Sequence, residues 1–429
     1  MEQNVAMQPI HELTRSVAQF REELLKPVGA EGLPDDVRYP SLPDVILALS
    51  DIAGNVELDS LYEHKMEHKY AASIAEVLLS SVPTAVTASA TSLDSLLTDD
   101  TAEEAFSSFI AELCAAGVQA VLLHTACVLG GDEGAVSLSA LESMAGRGLK
   151  LHMADGVETL AGLLDTTLLP DAASCLDAVL TAPDTDVTLL DAVLGMVEAV
   201  FDRAVDEASD GDEEACEAVA CLLSVTTRAI ALQGSVSPPA RAVVAKLLAH
   251  RPALCRMVDA DELARCLETA LTIDPALAPT LCPALPLLPW AIASKAGLGV
   301  HALGLMAGLL RYASGDTYGR VVMMAAHHEH TLLMRLLEGY GRLTATLATV
   351  TGPTDEETYA MKLDAGLAAL LDVAFILINA WASPTLHDAV EEGFTERAGR
   401  SLAHLKDAAR EWGRMHGEEK LVDELLECV

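Results

Sequence analysis

The chain has 429 residues, of which 51% are hydrophobic and 4% aromatic, and its formal net charge is −37. A surface this acidic repels phosphate backbones and anionic headgroups, so the composition argues against nucleic acids and anionic membranes as partners. It favours a basic protein partner, although acidic faces can also serve only to keep a long apolar chain soluble.

Alanine and leucine dominate the sequence, and alternating β-branched runs are almost absent, so we predict an all-α fold. The length exceeds one ordinary core and suits an extended array in which each helix is buried against its neighbours. The nine cysteines form no C-x-x-C pair, and residues 1–4 do not begin a signal sequence. These features predict reduced thiols and a cytoplasmic location, with the nucleus as the alternative.

The first part of the chain, residues 1–44, is predicted to be a leader. An amphipathic helix is expected at 10–26, followed by a linker rich in Pro and Gly up to residue 44. The Ser- and Thr-rich stretch 83–99 has few helix signals and predicts a loop or short helical pieces. The run Gly130–Gly134 is interpreted as an acidic turn. Further helices are expected at 41–52, 58–82, 100–116, 117–129 and 137–145.

The next two predicted helices together have the sequence pattern of a helical repeat. A Gly-led helix over 153–164 ends in Leu160-x-x-Leu163-Leu164, and after a turn a second helix over 170–180 has paired alanines and spaced leucines. This pattern resembles an armadillo repeat. The resemblance implies a right-handed α-solenoid of armadillo- or HEAT-like repeats. The resemblance does not imply the peptide-binding mode of armadillo proteins. The second helix lacks the asparagine with which those proteins hold a peptide backbone, and the chain has only three tryptophans.

An acidic string separates two long predicted helices, 183–206 and 213–232. It lacks the ligand order of an EF-hand, so we expect a solvated loop rather than a calcium site. It is also the best local candidate for contact with a basic partner. The predicted partner-binding residues are Asp206, Glu207, Asp210, Asp212, Glu213 and Glu214.

Helix-start signals then recur about every 37 to 40 residues, which is close to the period of two- and three-helix repeats. We therefore assign 45–354 to a helical-repeat solenoid and 355–429 to a C-terminal helical cap. The start signals are Ser237-Pro238-Pro239, Asp274-Pro275, Ser314-Gly315-Asp316 and Pro353 to Glu357. Helices of the cap are expected at 355–380, 384–393, 394–415 and 417–426.

Two apolar stretches, 281–310 and 363–382, approach the length of a membrane span. Prolines interrupt the first, and Asp364 and Asp372 lie within the second. A charge at that depth in a bilayer is costly, so we interpret both as buried helices rather than spans.

One motif formally matches a catalytic pattern. His64, Glu67 and His68 fit H-x-x-E-H, in which two histidines bind zinc and the glutamate activates water, and Glu142 lies where a third ligand would follow. The strands of that peptidase domain are missing from the sequence, which favours an ordinary polar helix face. A second cluster, His327 to His330, contains neighbours that point in different directions on a helix, so it predicts a polar junction.

Phosphate-loop, dinucleotide and nucleophile-elbow motifs are absent, so no cofactor and no catalytic residue is predicted. The leading hypothesis is a non-catalytic protein-protein interaction scaffold or adaptor that binds other proteins, with a basic protein as client. The alternative is a structural subunit of a large assembly, such as a proteasome-related, ciliary or trafficking complex. A zinc peptidase is the remote alternative.

Overall fold

The computed structural model describes residues 7–25, 34–98, 103–146, 156–181, 189–209, 211–293, 299–324 and 327–429. Every regular element in these ranges is a helix, which confirms the predicted all-α class. The chain forms two compact units. Unit 1 extends to Ala204 and includes 213–229, and unit 2 comprises 205–212 and 230–429. The predicted division at residues 44 and 354 stays a prediction.

The helices that begin within unit 1, and the one that begins at Glu213, are numbered in chain order. They are α1 (Gln8–Leu24), α2 (Asp35–Arg38), α3 (Leu42–Asn55), α4 (Leu58–Glu63), α5 (Glu67–Leu79), α6 (Pro83–Thr98), α7 (Glu103–Ala115), α8 (Val118–Leu129), α9 (Gly131–Gly146), α10 (Gly156–Leu163), α11 (Leu169–Thr181), α12 (Leu190–Ser209) and α13 (Glu213–Gln233).

Unit 1 contains two series of helices. In the first series, α3 packs on α6, α6 on α9, and α9 on α11. In the second, α1 packs on α5, α5 on α8, and α8 on α10. Each helix of the second series also packs on one of the first, in the pairs α1–α3, α5–α6, α8–α9 and α10–α11. Most helices therefore bury one face against the partner series and another against their own neighbours.

The leader helix α1 belongs to this core. Ile10, Leu13, Val17 and Phe20 recur at helical spacing and are buried where α1 meets α3 and α5. Burial of each such side chain stabilises the fold by about 1.5 to 3 kcal/mol. The amphipathic helix predicted at 10–26 is confirmed, and its docking on the body is now defined.

The prediction of a loop or short helical pieces at 83–99 is wrong, because α6 is one continuous helix. Pro83 occupies its first position, where the missing N–H is not needed. The Thr87 hydroxyl donates to the Pro83 carbonyl at 3.1 Å, and Val86, Leu93 and Leu97 are buried. Burial against α3 and α9 thus outweighs the weak helix propensity of Ser and Thr.

Two other predicted boundaries are corrected in unit 1. The single helix expected at 58–82 is broken between α4 and α5, where Lys65 adopts a left-handed φ of 55°. The expected turn at Gly130–Gly134 is shorter, because α9 already begins at Gly131. Gly134 lies inside α9, where a Cβ atom would approach Leu168 Cδ1 to 2.9 Å.

The helices of unit 2 continue the numbering. They are α14 (Pro238–Met257), α15 (Ala260–Ile273), α16 (Leu288–Ala293), α17 (Val300–Tyr312), α18 (Gly315–Met324), α19 (His327–Leu347), α20 (Asp355–Asp364), α21 (Leu367–Ala382), α22 (His387–Gly393), α23 (Leu402–His416) and α24 (Glu419–Glu427), with 3-10 turns at Pro275–Leu277 and Cys282–Leu287 and a π turn at Phe394–Ala398.

Unit 2 repeats the arrangement of two series. The first series runs from α15 to α17, α21 and α23, each packed on the next, and α24 packs on α23. On the other side, α14 packs on α15, α16 on α17, and α19 on α21. Helix α21 is central and buries most of its length.

The predicted start signals fall at real helix starts, with two corrections. Thr354 caps α20 by accepting from the Glu357 N–H at 3.2 Å. Asp274 accepts from the Ala276 N–H at 3.2 Å, but it starts only a 3-10 turn. The single helix expected at 355–380 is wrong, because Gly366, with φ of 102°, separates α20 from α21. The predicted start at 183–184 lies outside the described residues.

Candidate functional site

Side-chain hydrogen bonds to carboxylates join α6 to α9, α9 to α11 and α11 to α13 in unit 1. Each bond links an acid on one helix to a donor on a following helix. The pairs are Ser143 Oγ to Asp94 Oδ1 at 2.5 Å, Ser174 Oγ to Glu142 Oε1 at 2.7 Å, and Arg228 Nε to Asp177 Oδ1 at 2.6 Å.

Unit 2 contains the same kind of contact. His301 Nδ1 on α17 lies 2.9 Å from Glu268 Oε2 on α15, and Trp412 Nε1 on α23 donates to Asp372 Oδ1 on α21 at 2.9 Å. The bond from Glu268 raises the pKa of His301, with burial acting in the opposite direction. We call the five acids Asp94, Glu142, Asp177, Glu268 and Asp372 the carboxylate ladder.

Each ladder acid directly follows a buried leucine on its helix. Consecutive residues are 100° apart on a helix, so when the leucine enters the core the acid lies at its edge, beside the next helix. The pairs are Leu93-Asp94, Leu141-Glu142, Leu176-Asp177, Leu267-Glu268 and Leu371-Asp372. The same pair also occurs outside the ladder, at Leu58-Asp59, Leu164-Asp165 and Leu337-Glu338, so it does not by itself identify a ladder acid.

An acidic groove of about 620 Å³ lies between α9, α11 and the start of α13 in unit 1. Five carboxyl side chains line it, and no Lys, Arg or His is among the described residues that do so. The acids are Asp132, Glu142, Asp171, Glu214 and Glu217. Glu142 belongs both to the carboxylate ladder and to the lining of the groove.

The groove carries a concentrated negative potential. Burial raises the pKa of Asp171, and the charges of Glu214 and Glu217 raise it further. Two thiols near these acids also have raised pKa values. Burial, with Glu142 and Asp171 contributing, raises the pKa of Cys175, and burial with nearby acids raises that of Cys221 to about 11. A cation in the groove would relieve this repulsion.

One of the six predicted partner-binding acids lines this groove. Asp206 and Glu207 are exposed near the end of α12, Asp212 precedes α13, and Glu213 and Glu214 are exposed in its first turn. Glu214 is the residue that lines the acidic groove. Asp210 lies outside the described residues. A binding role for these six residues stays a prediction.

The sequence does not identify the other four groove acids. Asp132 lies in the run that predicts a turn, Glu142 is indicated only as a third ligand of the zinc motif, and Asp171 and Glu217 are isolated acids on apolar helices. Nothing local distinguishes them, because the groove exists only where three helices meet.

The H-x-x-E-H residues do not share one helix. His64 caps the end of α4, with Nδ1 2.8 Å from the Ser60 carbonyl, and His68 is exposed on α5 beyond the break at Lys65. Glu67 is buried and accepts from Ser108 Oγ at 3.1 Å.

No group of three or more metal-ligating side chains occurs within the part of the chain that the structure describes. The side chains of the second predicted cluster, His327 to His330, lie outside that part, although α19 begins at His327.

One described helix, Glu213–Gln233, is long and apolar enough to cross a membrane, judged by length and composition alone. Two bent pairs, α7 with α8 and α20 with α21, would raise the count to three if each pair were one span. The second pair includes the apolar stretch 363–382 considered in the sequence.

Comparison of the chain with models of known protein families and with curated protein sequences gives no match.

Proposed function

We propose that the chain is a non-catalytic interaction scaffold, built as a right-handed α-solenoid of armadillo- or HEAT-like repeats, that holds a basic protein segment. The serial packing of α3, α6, α9 and α11, and of α15, α17, α21 and α23, supports the solenoid. In a solenoid each repeat contacts its neighbours, so a groove between successive helices offers an extended binding surface.

The acidic groove is the observation that supports a basic protein as the client. Its five carboxyls have no basic side chain among them in the described lining, so an entering Lys or Arg meets no competing cation there. Arginine forms strong, often bidentate bonds with carboxylates, and complementary charge also accelerates association.

The charge of the chain is concentrated on the unit that contains the groove. Unit 1 has 36 Asp and Glu against 10 Lys and Arg, a net charge of −26, and unit 2 has 28 against 17, a net charge of −11. A purely solubilising charge would not need this asymmetry. Nine free thiols suit a reducing compartment, the cytoplasm or the nucleus, and the acidity disfavours nucleic acid as a partner.

Affinity capture from lysate tests the proposal. The purified chain is the bait at low and at high salt, beside an unrelated bait of similar net charge. We expect basic proteins that the control bait does not retain, and we expect high salt to release them because exposed charge pairs are screened. Recovery of no specific partner at either salt would count against the scaffold.

A structural subunit of a large assembly is the second candidate, favoured by an apolar groove of about 630 Å³ on α3. Leu42, Pro43, Ile46 and Leu47 contribute to it, and Leu47 is 61% exposed. Size-exclusion chromatography of native extract separates the candidates, because a monomer-sized peak speaks against an assembly. Metal analysis tests the zinc peptidase, which requires close to one zinc per chain.

A further inference from the structure

The apolar groove on α3 is formed by α2, α3 and the first turn of α6. Its volume of about 630 Å³ is within the range of ligand pockets, about 300 to 1,000 Å³. Pro43 and Leu47 are exposed in it, and Ile46 is half-buried. These neighbouring apolar side chains form a concave surface, so the groove is suited to the apolar side chains of a partner.

Two acids of α2 complete the lining of the apolar groove. Asp35 is half-buried and Asp36 is exposed. No Lys, Arg or His is among the described residues that line the groove. An apolar segment that also carries a basic side chain matches both features, because complementary charge favours the correct partner. A second copy of this chain, with its net charge of −37, is disfavoured by repulsion.

The apolar groove and the acidic groove open on the same side of the first series of unit 1. Each helix of this series has a solvent-accessible residue that is flanked by buried residues two positions before and after it. Two positions on a helix are about 200° apart, so these accessible residues point away from the core shared with the second series. They are Leu47 on α3, between Val45 and Leu49; Thr91 on α6, between Ser89 and Leu93; Ser139 on α9, between Ser137 and Leu141; and Asp171 on α11, between Leu169 and Ala173.

Helix α6 separates the two grooves and has only short side chains on this side. Thr84 in its first turn lines the apolar groove, and Thr91 is exposed two turns further on. The helix contains no Lys or Arg, and its one acid, Asp94, accepts a bond from Ser143 of α9. An extended chain that crosses α6 from one groove to the other therefore meets no bulky side chain and no cation on it.

We propose, on the basis of the proposed basic client, that this client is bipartite. Its basic segment occupies the acidic groove, and a cluster of apolar residues with a basic neighbour occupies the apolar groove on α3. Helix α3 packs on α6 and α6 on α9, and packed helix axes are about 8 to 10 Å apart, so the two steps amount to roughly 16 to 20 Å. An extended chain advances about 3.3 Å per residue, so about five or six residues join the two parts of the client.

The apolar part of the client gives the scaffold its selectivity. Exposed charge pairs are individually weak, and any basic segment can form them. Linking the basic segment to an apolar cluster makes the second binding event intramolecular, which raises the affinity only when the linker spans the two grooves. The scaffold thus distinguishes its client from other basic proteins by the distance between the apolar cluster and the basic run.

Fluorescence anisotropy of labelled peptides with the full chain tests the bipartite client. All peptides carry arginine at every third position, followed or preceded by about six Gly and Ser residues and then by a lysine with two leucines. In the matched peptides, two serines replace the leucines. We expect the leucine peptide of one orientation to bind about tenfold or more tightly than its serine counterpart, and we expect a spacer of about two residues to abolish this gain.

The two proposals fail in different ways. Equal binding of leucine and serine peptides in both orientations would overturn the bipartite client and leave the basic client of the acidic groove intact. An apolar groove that holds a second copy or another subunit instead would give this same result. Binding of none of the peptides would remove both proposals.

Two leucine variants locate the apolar part of the client. Leu47→Lys places a charge in the apolar groove, so the leucine peptide should bind no more tightly than its serine counterpart. Leu79→Lys on α5, outside that groove, introduces the same charge and should retain the gain. Leu47 and Leu79 are 61% and 60% exposed, so neither substitution disturbs the core. Retention of the gain by Leu47→Lys would overturn the proposal.

Discussion

Single carboxylates join neighbouring helices by hydrogen bonds in both units. Each acid of the carboxylate ladder lies half-buried at the edge of a helix and accepts a bond from a later one. A buried acceptor that loses its donor is costly, whereas an exposed ion pair contributes little. The ladder bonds should therefore be coupled more strongly than the surface pairs.

A double-mutant cycle on Arg228 and Asp177 measures this coupling. Their side chains are 36% and 25% exposed, and we expect a coupling energy of about 1 kcal/mol in chemical denaturation. The exposed pair Arg21 and Glu76, at 65% and 41%, is the matched control and should give less than about 0.5 kcal/mol. Equal coupling energies in the two cycles would contradict the claim that ladder bonds are coupled more strongly than surface ion pairs.

Gly304 shows how one small residue makes room for a ladder acid. A Cβ atom at this position would overlap Glu268 Oε1, and the other oxygen of the same carboxylate, Oε2, is bonded to His301. Gly304→Ala should displace the carboxylate, so the pKa of His301 should fall toward its ordinary value in an NMR titration. Gly319→Ala, where nothing lies within 4 Å of the added methyl, should leave the His301 pKa unchanged. An unchanged pKa in both variants would contradict the assignment.

At the scale of elements, helix existence was easier to predict than helix continuity. The start signals at Ser237-Pro238 and Thr354 mark real helices, because a proline in the first turn and a capping hydroxyl both act locally. The sequence does not predict α6, because packing on α3 and α9, which no local pattern shows, outweighs the weak helix propensity of its Ser and Thr residues. It does not predict the break at Lys65, because a lysine rarely adopts a left-handed backbone.

Lys65→Gly tests the break between α4 and α5. Glycine adopts a φ near 55° without steric cost, so the variant should be more stable than the native chain by about 0.5 to 1 kcal/mol in thermal or chemical unfolding. The control is Ala72→Gly, at an exposed position within α5, which should cost about 1 kcal/mol. Loss of stability in Lys65→Gly would show that the two helices are continuous in solution.

At the scale of the whole molecule, composition predicted the all-α class, and the acidity led to the hypothesis of a basic client. The candidate site could be predicted only in part. Glu214 belongs to an acidic string that is conspicuous in the sequence, whereas Asp171 and Glu217 are single acids on apolar helices. Their proximity depends on how α11 and α13 pack, which residue patterns do not encode.

The groove also indicates the form of the probe. Its acids come from three helices, α9, α11 and α13, and the axes of packed helices are about 8 to 10 Å apart. An extended chain advances about 3.3 Å per residue, so basic side chains at every third position match that spacing. A labelled peptide with arginine at every third position is therefore the direct probe of the acidic groove.

Fluorescence anisotropy of this peptide with the native chain and two charge-matched variants tests the central claim most directly. The groove variant carries Asp171→Asn, Glu214→Gln and Glu217→Gln, and the control carries Asp44→Asn, Glu57→Gln and Glu63→Gln at exposed positions outside the groove. We expect the groove variant to bind on the order of tenfold more weakly, because three charge pairs of about 0.5 kcal/mol are lost, and the control to bind as the native chain does. Equal weakening in both variants, or no binding by the native chain, would contradict a basic client in the acidic groove.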